Sequence, residues 1–338
     1  MEERLVRWDA DSEPLRRLFA TTWKKHPVLE KPYFDWLLTD VPAGKAISYC
    51  TVPKGSREFV VGVYMVSPVT IFVGNESLLL STSLKTMTHP EYYKRGIFVR
   101  LAKLVFDECL RGGVVGTIGV PNNKSLPGFV NRLSFQAIGR FHVLARTAPF
   151  GSSAGNMAVK ELTTEEDLSG LSFDLHESKA RAGVVIGDRG RAFVAWRFFR
   201  CPGVRYRVLV ATDHHDSVKG MLAMRCTRKR NVPVSVLVDF LVDHTCDDAA
   251  SIVRSLLLRA GRLAWKHFSP LMITLVNPLS YEGKVLHNLG FRRLPGLVLP
   301  HDTNFILRLH TAALPERLTR KLRSFEDWYF SFADYDTF

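Results

Sequence analysis

The 338 residues are 46% apolar and only 23% charged, which supplies ample material for buried cores and excludes a disordered chain. That length suggests about two domains. A formal charge of +13 points to anionic partners, for which nucleic acid, anionic lipid, coenzyme A and nucleotide-linked sugars all qualify.

From Met1 to Leu18 the chain alternates Glu, Arg, Asp and Leu with no apolar core and no small-residue cleavage site, so it does not read as a secretory signal. No stretch approaches the ~20 apolar residues of a membrane helix; residues 59–66 and 234–242 are strand-length. A cytoplasmic location is expected. Cys50, Cys109, Cys201, Cys226 and Cys246 are odd in number and lack Cys-x-x-Cys or Cys/His spacing. They read as reduced packing residues, with no disulfide framework and no metal site.

Residues 77–86 read as a strand, and after His89-Pro90 a helix is expected over 97–111. Its apolar positions Ile97, Phe98, Leu101, Leu104, Val105 and Cys109 follow helical spacing, and Gly112-Gly113 supplies a stop. A strand over 114–120 then leads to Pro121-Asn122, a short helix and Leu133-Ser134-Phe135. Residues 150–156 read as a linker. They contain Gly151-Ser152-Ser153-Ala154-Gly155, which has the letters of a nucleophile elbow without the flanking strand and helix that elbow requires.

Further on, His214-His215-Asp216 reads as a hairpin turn between strands at 205–211 and 218–224. Residues 234–242 form a strand, and Asp247-Asp248 can cap a helix with Ile252, Val253, Leu256, Leu257, Ala260, Leu263 and Ala264 on one face. A strand at 271–276, Asn277-Pro278, a helix and Leu289-Gly290-Phe291 complete the series. The order repeats that of the first half, and a duplication is the simplest account. Expected domains are therefore 1–150 and 151–310, with 311–338 as an aromatic tail that docks.

The most informative stretch runs from Thr88 to Phe98, ending a strand and opening a helix. Backbone N–H groups in a first helical turn have no internal partner, and the helix dipole adds positive potential, so an anion binds there. Gly96 allows close backbone approach, while Lys94 and Arg95 add charge. Met87, Thr88, Tyr93, Lys94, Arg95, Gly96, Ile97 and Phe98 are the expected pyrophosphate cradle. No G-x-G-x-x-G or Walker A sequence competes with it.

This stretch resembles the phosphate-binding loop of the GNAT acetyltransferase superfamily, which follows that family's fourth strand. The likeness extends to Pro121-Asn122-Asn123 and to Leu133-Ser134-Phe135. More narrowly, the His89-Pro90 to Phe98 string, Tyr33-Phe34-Asp35-Trp36, Trp196 with Cys201-Pro202, and the terminal Trp328-Tyr329 look like tandem GNAT proteins encoded with bacterial surface-polysaccharide genes. The resemblance implies a mixed α/β fold of two tandem GNAT-like domains, the second degenerate. It also implies an N-acyltransferase that uses acetyl-CoA or a larger acyl-CoA, with Asn122 beside the cofactor and a nucleotide-linked amino sugar as acceptor.

The departures are specific. Tyr93 stands where the family has Arg or Gln, and Phe98 where it has Gly or Ala. The family's general-acid tyrosine is Val130 in the first copy and Leu286 in the second. In the second copy His244-Thr245-Cys246-Asp247-Asp248 replaces the basic loop, and two carboxylates repel a pyrophosphate, so one cofactor site per chain is expected.

In the family's reaction an amine attacks the thioester directly, and a backbone N–H near Thr88 can hold the oxyanion. No carboxylate follows Glu76 on that strand. The candidate bases are therefore His89, Asp239, His244 and Asp334 or Asp336; alternation between Val238 and Phe240 turns Asp239 away from the apolar side. The acceptor site is expected between the two copies. Two other readings stay open: a transferase that takes its acyl group from aminoacyl-tRNA, served by Arg228-Lys229-Arg230 and the basic run 317–323, and a non-catalytic binding protein.

Overall fold

The computed structural model describes residues 3–8, 12–55, 59–149, 157–229, 231–296 and 303–335. Its strands form two mixed sheets with helices packed on them, an α/β architecture. In the first half come β1 (Glu3–Arg7), β2 (Ile47–Pro53), β3 (Gly62–Val73), β4 (Glu76–Thr88), β5 (Gly116–Gly119), β6 (Gln136–Arg140) and β7 (His142–Thr147). The second half contributes β8 (Lys160–Leu162), β9 (Ile186–Gly187), β10 (Arg207–Thr212), β11 (Val218–Lys229), β12 (Val232–Val242), β13 (Leu271–Val276), β14 (Arg292–Arg293) and β15 (Asn304–Leu309). The helices are α1 (Glu13–Ala20), α2 (Lys31–Leu38), α3 (Ile97–Arg111), α4 (Leu126–Leu133), α5 (Leu175–Arg181), α6 (Arg191–Val194), α7 (Ala249–Lys266), α8 (Tyr281–Asn288) and α9 (Glu316–Arg323). None is long and apolar enough to cross a membrane.

The first sheet runs β1-β2-β3-β4-β5-β15-β6, with β9 added to β3. The second runs β14-β7-β13-β12-β11-β10-β8. Residues 142–147 therefore pair in the second sheet, while 304–309 lie between β5 and β6 in the first. Phe141, the residue between β6 and β7, is 1% exposed and stacks on Phe330 at 4.6 Å, so the crossing point is itself core.

Each sheet holds a long antiparallel pair whose second strand carries one extra residue. Val63 and Met65 face Met87 and Leu84, and Ala223 and Met224 face Asp239 and Leu237. Such a bulge reverses which side the following residues face. Leu84 and Met87, three apart, accordingly pack against the same cluster with α1 and α2. Val238 and Phe240, two apart, pack in different clusters.

The seam made by β15 is sensitive to acid. Arg308 donates to His310 Nδ1 at 2.7 Å, which leaves His310 Nε2 to meet Thr117 Oγ1 at 2.7 Å as a neutral imidazole. Burial, aided by Arg308, pushes the His310 pKa down from its ordinary 6.5 to about 4. The unfolded chain therefore binds this proton first, and stability is lost as pH falls from 6.5 towards 4, by up to about 3 kcal/mol. Urea midpoints measured across that range should fall less steeply for His310→Asn than for the parent; equal slopes would remove His310 from the account.

Candidate functional site

β4 pairs with β5 only at Leu80, Ser81 and Thr82, and then runs on to Thr88 without it. The two strands splay. Between them opens a cleft of about 710 Å³ whose outer end is the start of α3. His89 donates its N–H to the Val61 carbonyl at 2.8 Å, so by strand alternation the Thr88 N–H is directed at the edge that β5 has left. At the mouth, Gly96 is the N-cap of α3 at φ 72°, no side chain caps the helix, and a Cβ built on Gly96 would meet nothing within 4 Å. The first-turn donors therefore face open space, which suits an anion.

All the residues expected to form the cradle line this cleft: Met87, Thr88, Tyr93, Lys94, Arg95, Gly96, Ile97, Phe98 and Asn122. Asn122 acts through its backbone turn, since its Oδ1 accepts the N–H groups of Lys124 and Ser125 at 3.0 Å before α4. Lys85 and Arg132 add positive charge, and among the described residues no carboxylate lines the cleft. Sequence reading missed Trp23, His26, Arg132 and Tyr335, which the fold brings to the same walls. Lys85 lies in the β4 bulge with its Nζ 3.4 Å from His26 Nε2 and 5.5 Å from the Trp23 ring.

The expected bases lie elsewhere. His89 caps a short turn by accepting the Glu91 N–H at Nδ1, and its ring packs on Phe59 and Tyr92. Asp239 is fully buried rather than turned outward, because the bulge breaks the alternation and chain 329–334 covers that face. It takes Arg189 Nε at 2.7 Å, Tyr329 Oη at 2.6 Å and Ser331 Oγ at 2.7 Å. His244 is held by the Lys179 ammonium at 3.3 Å, and burial, then Lys179, lowers its pKa. Neither Asp239 nor His244 lines the cleft. Asp336, like the linker 150–156 and Arg230, lies outside the described residues.

The second sheet has the same splay: β12 pairs with β13 only from Val234 to Leu237. Here the gap is filled. Tyr329 Oη also accepts the Phe240 N–H at 3.2 Å, and Asn277 Nδ2 donates to the carbonyls of Phe325 and Trp328 at 2.6 and 2.8 Å. Lys179 enters from α5, fully buried, and binds Glu282 Oε1 at 2.6 Å and the Val242 carbonyl at 3.1 Å. A space of about 10 Å³ remains. At the helix start, Asp243 is tied to Thr245 and Asp248 is the N-cap residue of α7, so carboxylates stand where an anion would sit.

A second cavity of about 80 Å³ lies on the α2 side of β3 and β4. Trp36, Phe193, Trp196 and Phe330 give it aromatic walls; Asp188, Arg197 and Asp334 are among its polar groups. Trp36 and Trp196 stack at 4.8 Å and donate their indole N–H groups to each other's carbonyl at 2.9 and 3.1 Å. The two tryptophan motifs of the sequence thus form one joint. Among the described residues, the cavity shares only Leu84 and Tyr335 with the cleft. The terminal basic run is largely engaged: Arg317 with Glu76, Arg320 with Glu316 and Lys321 with Asp327.

The arrangement is the fold of the GCN5-related N-acyltransferases. A GCN5-related N-acetyltransferase from Kribbella flavida superimposes with a TM-score of 0.66 at 15% identity, covering 91% of this chain and 71% of that one. A probable N-acyltransferase from Enterococcus faecalis gives 0.64 at 11%, covering 91% and 73%. The N-myristoyltransferase of Saccharomyces cerevisiae, solved with bound myristoyl-CoA, gives 0.61 at 13%, covering 93% and 84%. No family model and no curated protein matches the sequence.

Proposed function

We propose that the chain is an acyl-CoA-dependent N-acyltransferase of two tandem GNAT-like copies, in which the first binds acyl-CoA and the second has given up its own cofactor site. The observation that carries this reading is the splayed cleft ending on the uncapped start of α3, lined by Lys85, Lys94, Arg95 and Arg132 and by no carboxylate among the described residues. Pyrophosphate would sit on the first-turn N–H groups, and the pantetheine arm would run inward between β4 and β5. The Thr88 N–H would then hold the thioester oxyanion, a type of contact that lowers a barrier by about 3 to 4 kcal/mol.

The acceptor reading is a nucleotide-linked amino sugar used in surface-polysaccharide synthesis, within the cytoplasm. The aromatic walls of the smaller cavity support a ring with one apolar face, and an amine held there would reach the cleft past Leu84 and Tyr335, which line both. The test is release of free CoA thiol from acetyl-CoA and longer acyl-CoAs in the presence of UDP- and dTDP-linked amino sugars. Transfer to the sugar amine is expected. Acyl-CoA binding without transfer to any such sugar sinks the acceptor assignment, and transfer from aminoacyl-tRNA would favour the tRNA-dependent alternative.

A further inference from the structure

We propose that the end of the second sheet where β12 and β13 begin is a docking surface for an anionic lipid bilayer, a contact independent of the transferase reading above. Its apolar centre is Phe268, 85% exposed at the end of α7. The helix closes there with the Ser269 N–H on the Ala264 carbonyl at 2.9 Å and the His267 N–H on the Leu263 carbonyl at 3.1 Å, and Phe268 takes the left-handed position at φ 52°. Glycine is the usual residue at such a place, because a side chain is strained there. Phenylalanine accepts that strain while leaving most of its ring outside the fold.

The placement is rigid, and a second apolar residue stands at the same end. Ser235 Oγ on β12 donates to the Ser269 carbonyl at 2.8 Å, so the residue after Phe268 is pinned to the sheet. Parallel pairing of Val234 with Leu271 puts Val232 two residues and Phe268 three residues outside that sheet end. Val232 follows the turn between β11 and β12 and is 48% exposed.

Around these two the surface is basic. Arg228 and Lys266 are exposed, Arg205 is exposed just before β10, and Arg207 donates to His267 Nε2 at 2.9 Å. The four stretches that converge here, 142–160, 201–212, 225–235 and 254–274, contain no Asp or Glu. Glu161, which follows the first of them, is held by Arg207 and Arg259 at 2.5 and 3.1 Å. Apolar side chains ringed by cations suit an anionic headgroup layer: the ring and the valine enter the acyl boundary while lysine and arginine meet the phosphates. A nucleic acid fits less well. Val232 has no flat face to stack on a base, and among the described residues none of this surface lines the cavities above, so it offers a strand no groove.

The full chain should sediment with vesicles of equal parts phosphatidylglycerol and phosphatidylcholine and stay in solution with phosphatidylcholine alone, and added salt should release it. Phe268→Gly should weaken that partition about tenfold while melting no lower than the parent, because glycine suits the left-handed position. Arg228→Gln with Lys266→Gln should weaken it about thirtyfold. Lys45→Gln with Lys103→Gln removes the same charge from exposed positions elsewhere and should change it little. CoA binding should be the same in all of these variants, since none of the residues lines the cleft. Equal losses in the two double variants would reduce the effect to net charge and overturn the proposal. So would a Phe268→Gly variant that binds like the parent, or a parent that ignores both vesicles and instead shifts tRNA in a gel.

Discussion

Arg189→Met is expected to lower stability by about 3 to 5 kcal/mol, a large part of what holds a typical domain folded. Arg189 is 2% exposed and bridges two carboxylates, Asp239 at 2.7 Å and Asp334 at 2.6 Å. Burial alone would favour its neutral form, but the two carboxylates outweigh that and raise its pKa. Methionine fills similar volume and leaves both acids without their cation. The cost comes from those stranded charges rather than from the pair's net worth, because a buried ion pair replaced whole by apolar groups is often neutral. Tryptophan-fluorescence melts should therefore show a drop of roughly 6 to 20 °C, at about 2 to 4 °C per kcal/mol for large domains. Arg189→Met with Asp239→Leu should recover part of it. An unchanged midpoint for the single variant would mean that the tail is not locked by this network.

Gly96→Glu should abolish the thermal shift given by CoA. Saturating CoA at a hundredfold excess over its Kd stabilises the native state by about 2.7 kcal/mol, and the variant should show none of it. Two effects combine. Gly96 has a φ of 72°, which costs a residue with a side chain about 1 to 2 kcal/mol, and the new carboxylate would stand where the pyrophosphate meets the helix start. Gly96→Ala separates them, since the strain remains and the charge does not. The Ala variant should melt lower yet still respond to CoA. A Glu variant that responds like the parent would remove the loop from the cofactor site.

Much of this was legible in the sequence, and what was not has definite causes. The helix over 97–111 and the strand over 271–276 appear with those bounds, because strong periodicity ran between glycine, proline and asparagine stops. The cradle residues gather in one cleft because they are consecutive in the chain, so one junction places them all. Strand exchange was hidden: β7 and β15 are short strands, and nothing local states which sheet an edge will accept. Alternation turns Asp239 outward, but one extra residue in β12 breaks that alternation and the side chain is buried. His26 and Tyr335 reach the cleft from far away in the chain, one from the loop after α1 and one from the tail, and no spacing rule links them to Gly96.

The central claim is that each chain has one cofactor cleft, open in the first sheet and occupied by the chain itself in the second. Isothermal titration of the intact protein with CoA tests it most directly. One CoA per chain is the expected stoichiometry, with an affinity that weakens as salt rises because the proposed contact is with phosphate. Two equivalents per chain, or none at millimolar CoA, would contradict the account.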